Sequence, residues 1–144
     1  MAHQVAATFH SDCIARAEAA LNVSLIKQGR AMYSASDDSL GLICIASKQY
    51  EVAGQSHYWF SFHPYQQKYL QQFPRALICL GCGSSKSVLL VPSTKWFSWL
   101  QDMNITQLSD RFYWHVRIIL SGNNLVLVRK KGAKRLVLSD FLLK

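Results

Sequence analysis

The apolar and polar positions of this chain change period several times, and each change predicts an element. Across residues 11–28, Ile14, Ala17, Leu21 and Leu25 recur at helical spacing. Ser11 is placed to cap that helix, Asp12 suits its first turn and Gly29 is a natural stop. Residues 30–35 predict a short strand, and the small polar run SASDDS, 34–39, a turn. Residues 40–47, LGLICIAS, are apolar on both alternating faces, the pattern of a central strand covered on two sides. After a turn around EVAGQS, residues 57–62, HYWFSF, predict an aromatic strand. Pro64 suits the first position of a helix running to Phe73, which Pro74 ends. Strands are predicted at 75–80 and 87–91, a short helix at 94–101 capped by Ser93, and a loop at 102–110. Three further strands, at 112–120, 125–129 and 135–138, form a meander joined by turns, and Ser139 can cap a last helical turn. The predicted fold class is α/β in the broad sense, more narrowly α+β. An N-terminal helix and two short helices pack on a mixed, largely antiparallel sheet that the C-terminal β-meander extends. Leu42, Ile43, Ile45, Phe60, Leu77, Cys79, Leu89 and Leu127 are expected in its core.

Composition narrows the class. The chain has 144 residues, half of them hydrophobic, which suits one packed domain over 1–144 rather than a disordered segment. Its apolar runs fall short of the roughly 18 residues of a membrane span, and MAHQVAATFHSDC carries no basic region followed by an apolar block, so neither a membrane partner nor a secretion signal is expected. Of the cysteines Cys13, Cys44, Cys79 and Cys82, Cys44 and Cys79 lie in apolar strand-like runs and read as buried reduced thiols, which points to the cytoplasm. The pair Cys79-x-x-Cys82 does not open a helix, as a redox pair would, and lacks a second ligand pair, as a zinc site would need. With His57, His63 and His115 scattered, no metal is expected.

Charge changes the picture most. Sixteen Lys and Arg stand against eight Asp and Glu, a net +8. Such an excess on a small domain points to a polyanion, with DNA or RNA favoured over an acidic protein or a lipid surface. The run VRKKGAKR places Arg129, Lys130, Lys131, Lys134 and Arg135 around Gly132, at one hairpin tip, without an acidic neighbour in the run. These cations would grip phosphates, or else serve as a solvated edge that blocks strand pairing. In RFYWHVRI, residues 111–118, Phe112, Trp114, Val116 and Ile118 share one face, and Arg111, Tyr113, His115 and Arg117 the other. In HYWFSF, Tyr58, Phe60 and Phe62 alternate with His57, Trp59 and Ser61. Trp59 or Tyr113 would stack on a base, with His63, Gln66 and Lys68 at the edge of the Trp59 face, unless both faces of that strand are core.

LICLGCGSSKSVLLVP, residues 77–92, raises a phosphate-binding loop. A P-loop needs glycines where this chain has Leu80 and Ser85, and a helix after Lys86-Ser87 where it has the strand SVLLVP. The stretch therefore predicts a turn between strands, with Lys86 an exposed cation that extends the phosphate track formed with Arg111 and Arg117. A G-x-S-x-G nucleophile turn is also missing from the chain.

The order helix, strand, strand, strand, helix, strand over residues 12–82 resembles the core of the restriction-endonuclease-like (PD-(D/E)XK) fold. The resemblance implies a divalent cation held by an Asp opening the second strand and an acidic-x-Lys on the third, because Mg²⁺ takes oxygen ligands. Asp37 or Asp38 stands at the first position, HYWFSF has neither acid nor Lys, and Ala46-Ser47-Lys48 lies one strand earlier with Ala46 in the acid's place. A Mg²⁺-dependent nuclease using Asp38, Glu51 and Lys48 is thus the enzymatic alternative. YWFSFHPYQ, LICLGCG, VLLVP and FYWHVRI together resemble a group of small uncharacterised bacterial proteins with a Tyr-Trp-Phe segment, a His-Pro helix start and a late Tyr-Trp-His strand. That resemblance implies a prokaryotic or phage source and a defence or mobile-element setting. The favoured expectation is a non-catalytic nucleic-acid-binding module without a cofactor, acting in a larger protein assembly and reading backbone rather than sequence. The remaining alternative is an interaction module for an acidic protein.

Overall fold

Asn22 decides where the first helix stops. The computed structural model describes residues 7–144; residues 1–6, part of the stretch on which the secretion-signal expectation rests, lie outside the described residues. Helix α1 spans Ala7–Leu21, and Asn22 then takes a left-handed backbone, φ 55°, which Asn tolerates better than most residues. The Glu18 carboxylate accepts the Leu25 N–H at 2.8 Å, and the chain turns into strand β1, Leu25–Gly29. The helix expected to reach residue 28 is therefore shorter, and its last part is a strand. Leu21 and Leu25 do pack against one apolar cluster, but the first reaches it from a helix and the second from a strand.

β1 pairs with β2, Met32–Ala35, and β2 with β3, Leu40–Ser47. The chain then makes a hairpin of β4, Tyr50–Val52, and β5, Gln55–Phe62, where only a turn was expected ahead of the aromatic strand. Its loop, Ala53-Gly54, has positive φ at both residues, 51° and 77°, the geometry that matches strand twist in a two-residue hairpin. Helix α2, Pro64–Gln71, carries the chain to β6, Arg75–Cys82, which runs parallel to β3. β7, Val88–Pro92, returns beside it and leads into α3, Ser93–Trp99, and a 3₁₀ turn, Leu100–Asp102. The expected loop at 102–110 contains β8, Asn104–Gln107. It is followed by β9, Phe112–Ser121, β10, Asn124–Val128, β11, Leu136–Val137, and a 3₁₀ turn, Ser139–Phe141.

The fold is α+β, as the pattern predicts, but the strands divide between two sheets instead of forming one. The first has the order β1-β2-β3-β6-β7; the second, antiparallel, has the order β11-β10-β9-β5-β4, with β8 also on β9. The first sheet is buried on both faces. On one, Cys13 and Ala17 of α1 meet Leu42, Cys44, Leu77 and Cys79. On the other, Ile43, Ile78 and Leu80 meet Phe60, Phe62 and Ile118 of the second sheet, with Leu70 of α2 and Trp96 of α3. This is why LGLICIAS is apolar on both alternating faces. Of the expected core residues all are buried except Ile45, which is half-buried. Close packing also explains Gly41, where a Cβ would overlap the Phe73 ring. Among the described residues, no helix is long and apolar enough to cross a membrane.

Candidate nucleic-acid interface

The second sheet turns one face to the core and the other outward, and the pairing of β5 with β9 determines which residues share each. Trp59 lies opposite Arg117, Ser61 opposite His115 and His57 opposite Ile119. Strand alternation sends Tyr58, Phe60, Phe62, Val116 and Ile118 inward, where all are buried. The outer face carries His57, Trp59, Ser61, Tyr113, His115 and Arg117; all are half-buried except His57, which is buried. The two faces of HYWFSF divide in this way: the Tyr58 face is core, and the other is half-buried at Trp59 and Ser61 and buried at His57 and its partner Ile119.

The outer side chains touch in sequence across the sheet. The Trp59 and His57 rings stack at 5.6 Å with 22° between planes, and His115 lies 5.1 Å from Trp59 on its other side. The Arg117 guanidinium sits 5.9 Å from the Trp59 ring centroid, a cation–π distance. Arg117 Nε donates to His57 Nδ1 at 3.3 Å, which leaves the His57 proton on Nε2. Further along, His63 lies 5.3 Å from Tyr113 and 5.3 Å from Tyr65. Burial, then Arg117, holds His57 and His115 below the usual imidazole range, with Glu51 opposing weakly at His57; burial, then Arg111 and Arg30, does the same to His63. All three rings are therefore neutral at pH 7.

At the end of this strip lies a groove of ≈ 630 Å³. It lies between the close of β3, at Ile45 and Ala46, the β1–β2 turn, at Arg30 and Ala31, and Trp59 to Gln66 of β5 and α2, with Arg111 at its rim. Among the described residues no carboxylate lines it. Gln66 was expected to reach a ligand; it is buried, and its Oε1 accepts the His63 N–H at 2.9 Å, so it fastens the start of α2. Arg30 carries no motif and is visible only through the fold.

The basic hairpin is partly tied down. Arg129 pairs with Asp102 at 3.1 Å and is 10% exposed, and its Nε donates to the Lys134 carbonyl at 2.9 Å. Lys130 donates through its backbone to the Asp102 carbonyl at 2.7 Å and through Nζ to the Gln101 carbonyl at 3.3 Å. The acid missing from the local run thus arrives from the turn after α3. Lys131, Lys134 and Arg135 remain exposed. Since Val128 pairs with Arg117, this loop leaves the sheet beside the Trp59 face. Lys86 is exposed in the β6–β7 turn, where Arg16 of α1 donates to the Ser85 carbonyl at 2.8 Å, so it belongs to the α1 side rather than to the aromatic strip. Arg111 is fixed through its carbonyl, which accepts the Leu108 N–H at 2.7 Å across the β8–β9 turn.

The nuclease set is not brought together. Asp38 occupies the β2–β3 turn with φ 58°, and Lys48 follows the far end of β3, eight residues long. At about 3.3 Å per residue that strand spans about 26 Å, whereas oxygen ligands lie within about 2–2.6 Å of a cation. Glu51, on β4, accepts from Ser56 Oγ at 2.7 Å and Gln49 Nε2 at 3.1 Å. Asp37 accepts from Ser39 Oγ at 2.7 Å and Ser39 N–H at 3.1 Å, which lowers its pKa and serves the turn. With β1 recognised, the second and third strands are β2 and β3. Ala46-Ser47-Lys48 then falls at the end of the third strand, with Ala46, a residue of the groove wall, still in the acid's place. All four cysteines are free and buried, and burial first of all pushes the Cys13 thiol up to about 12 and the Cys82 thiol up as well, so those two stay protonated at neutral pH. Compared with protein-family models, curated proteins and solved structures, the chain matches none of them.

Proposed function

We propose that this protein is a non-catalytic module that binds single-stranded nucleic acid across the outer face of its second sheet. The observation that carries this is Trp59, held between His57 and His115 with Arg117 against its ring, on a face turned away from the core. The part of the Trp59 ring that these neighbours leave exposed is the stacking surface for a base, and Arg117 supplies charge to the adjacent phosphate. A duplex keeps its bases stacked on one another and cannot use such a ring, so an unpaired strand is the better fit. Arg111 at the groove, and the exposed Lys131, Lys134 and Arg135 in the loop that follows β10, extend the positive track along the backbone. Few groups on this strip discriminate base edges, so recognition is of backbone and stacking rather than sequence.

The direct test is fluorescence anisotropy of a labelled oligothymidine of about 20 nucleotides, titrated with the protein at several salt concentrations. Binding should weaken with salt by about 0.7 in the log–log slope per phosphate contacted, and should exceed binding to a duplex of equal length. Absence of binding at low salt, or a preference for duplex, would overturn the reading.

Acidification should strengthen the complex. His57, His63 and His115 are neutral in the free protein, because burial and the neighbouring arginines disfavour their charged forms. A phosphate brought beside them favours the charged form, so protons are taken up on binding and affinity rises as pH falls from about 7.5 to about 5.5. Stability runs the other way. The unfolded histidines protonate near pH 6.5 more readily than the folded ones, so the stability they contribute is present above that pH and fades below it. Affinity that is flat or falling over this range, in protein still folded by circular dichroism, would count against contact between phosphates and these rings.

A further inference from the structure

We propose that the groove between the end of β3 and β5 seats a terminal phosphate of the bound strand, a phosphomonoester, with Arg30 and Arg111 as its ligands. This inference rests on the single-strand reading and names what happens at one end of the strand. Arg30 comes from the β1–β2 turn and Arg111 from the opening of β9, and both line the same groove of ≈ 630 Å³, within the range of about 300–1,000 Å³ typical of small-ligand sites. His63 lines the groove with them, and both charges, after burial, disfavour its charged form. Among the described residues no carboxylate lines the groove to offset them.

The choice of a chain end follows from charge and from the walls. A terminal phosphomonoester carries about −1.5 to −2 near neutral pH, against −1 for an internal diester, and presents three acceptor oxygens. Two guanidiniums, each with a planar fork of donors, match the former better. Trp59 belongs both to the stacking strip and to the groove, so a strand laid over the sheet reaches the groove directly. Beyond it the walls are Ala31, Ile45 and Ala46, which offer nothing to a continuing charged backbone. Tyr65, 52% exposed at the rim, stands where the last base would lie.

The experiment compares oligothymidines of about ten nucleotides, internally labelled, ending in a 5′-phosphate, a 3′-phosphate or hydroxyls only, on the full chain. One phosphorylated end should bind about tenfold or more tighter than the hydroxyl-ended strand, as expected for added charge-assisted contacts. Arg30→Gln, at an exposed turn, should abolish that advantage and weaken binding of the hydroxyl-ended strand much less, and Arg111→Gln should reduce both. Equal affinity for all three ends, with binding intact, would overturn the terminal-phosphate site and leave the sheet-face reading standing. A phosphate preference that survives both substitutions would overturn its placement in this groove. Failure of every oligonucleotide to bind would overturn the sheet-face reading, and this inference with it.

Discussion

Phe62→Ala is expected to cost about 3–5 kcal/mol of folding stability, whereas Trp59→Ala, on the opposite face of the same strand, is expected to spare the fold and weaken single-strand binding roughly 5- to 150-fold. Phe62 is fully buried, with its ring 5.6 Å from Trp96 and 5.8 Å from Trp114. Truncation there opens a cavity where both sheets and α3 meet, and close-packed neighbours relax only partly to fill it. Trp59 is half-buried and its neighbours are His57, His115 and Arg117. Its removal forfeits a cation–π contact of about 0.5–1 kcal/mol and further exposes His57, a small structural loss. What it removes in the complex is a stacking surface, worth about 1–3 kcal/mol per base. Urea denaturation and anisotropy titration on the two variants separate these outcomes. Loss of stability without loss of affinity in Trp59→Ala would assign that ring to the fold instead.

Replacing Lys131, Lys134 and Arg135 together with Gln should lower the salt slope of binding by about 2 and the affinity by about 100-fold near 0.1 M salt, if each neutralises one phosphate of a single strand. Arg129→Gln should behave differently. Its side chain is engaged with Asp102 and the Lys134 carbonyl, so its loss should loosen the 129–135 loop and lower the unfolding midpoint more than it changes the salt slope. The same slope in the triple variant as in the parent protein would remove the hairpin from the interface.

Much of the fold was legible because its signals are local. The double-sided apolar run 40–47 announces a covered strand, and the period-two alternation at 57–62 and 112–118 announces strands with distinct faces. Proline at 64 and 74 brackets the helix between. β1, β4 and β8 were not legible. β1 carries helix-like spacing by coincidence, since Leu25 reaches the same cluster as Leu21 from a different element. β4 and β8 are short and largely exposed, and they exist because β5 and β9 offer edges to pair with.

The candidate site divides along the same line. Alternation along the chain sufficed to group Arg111, Tyr113, His115 and Arg117, and to set Trp59 apart from Phe60, because side-chain direction in a strand depends on residue parity alone. It left open which face of HYWFSF meets solvent, since both carry aromatic rings. That depends on the second sheet laying its Phe60 side on the first. The meeting of Arg30 with Arg111 and the capture of Arg129 by Asp102 likewise depend on strand register and turn placement across long stretches of chain. No local pattern encodes such pairings, because burial of apolar surface over the whole domain, rather than any attraction between the charges, determines where they lie.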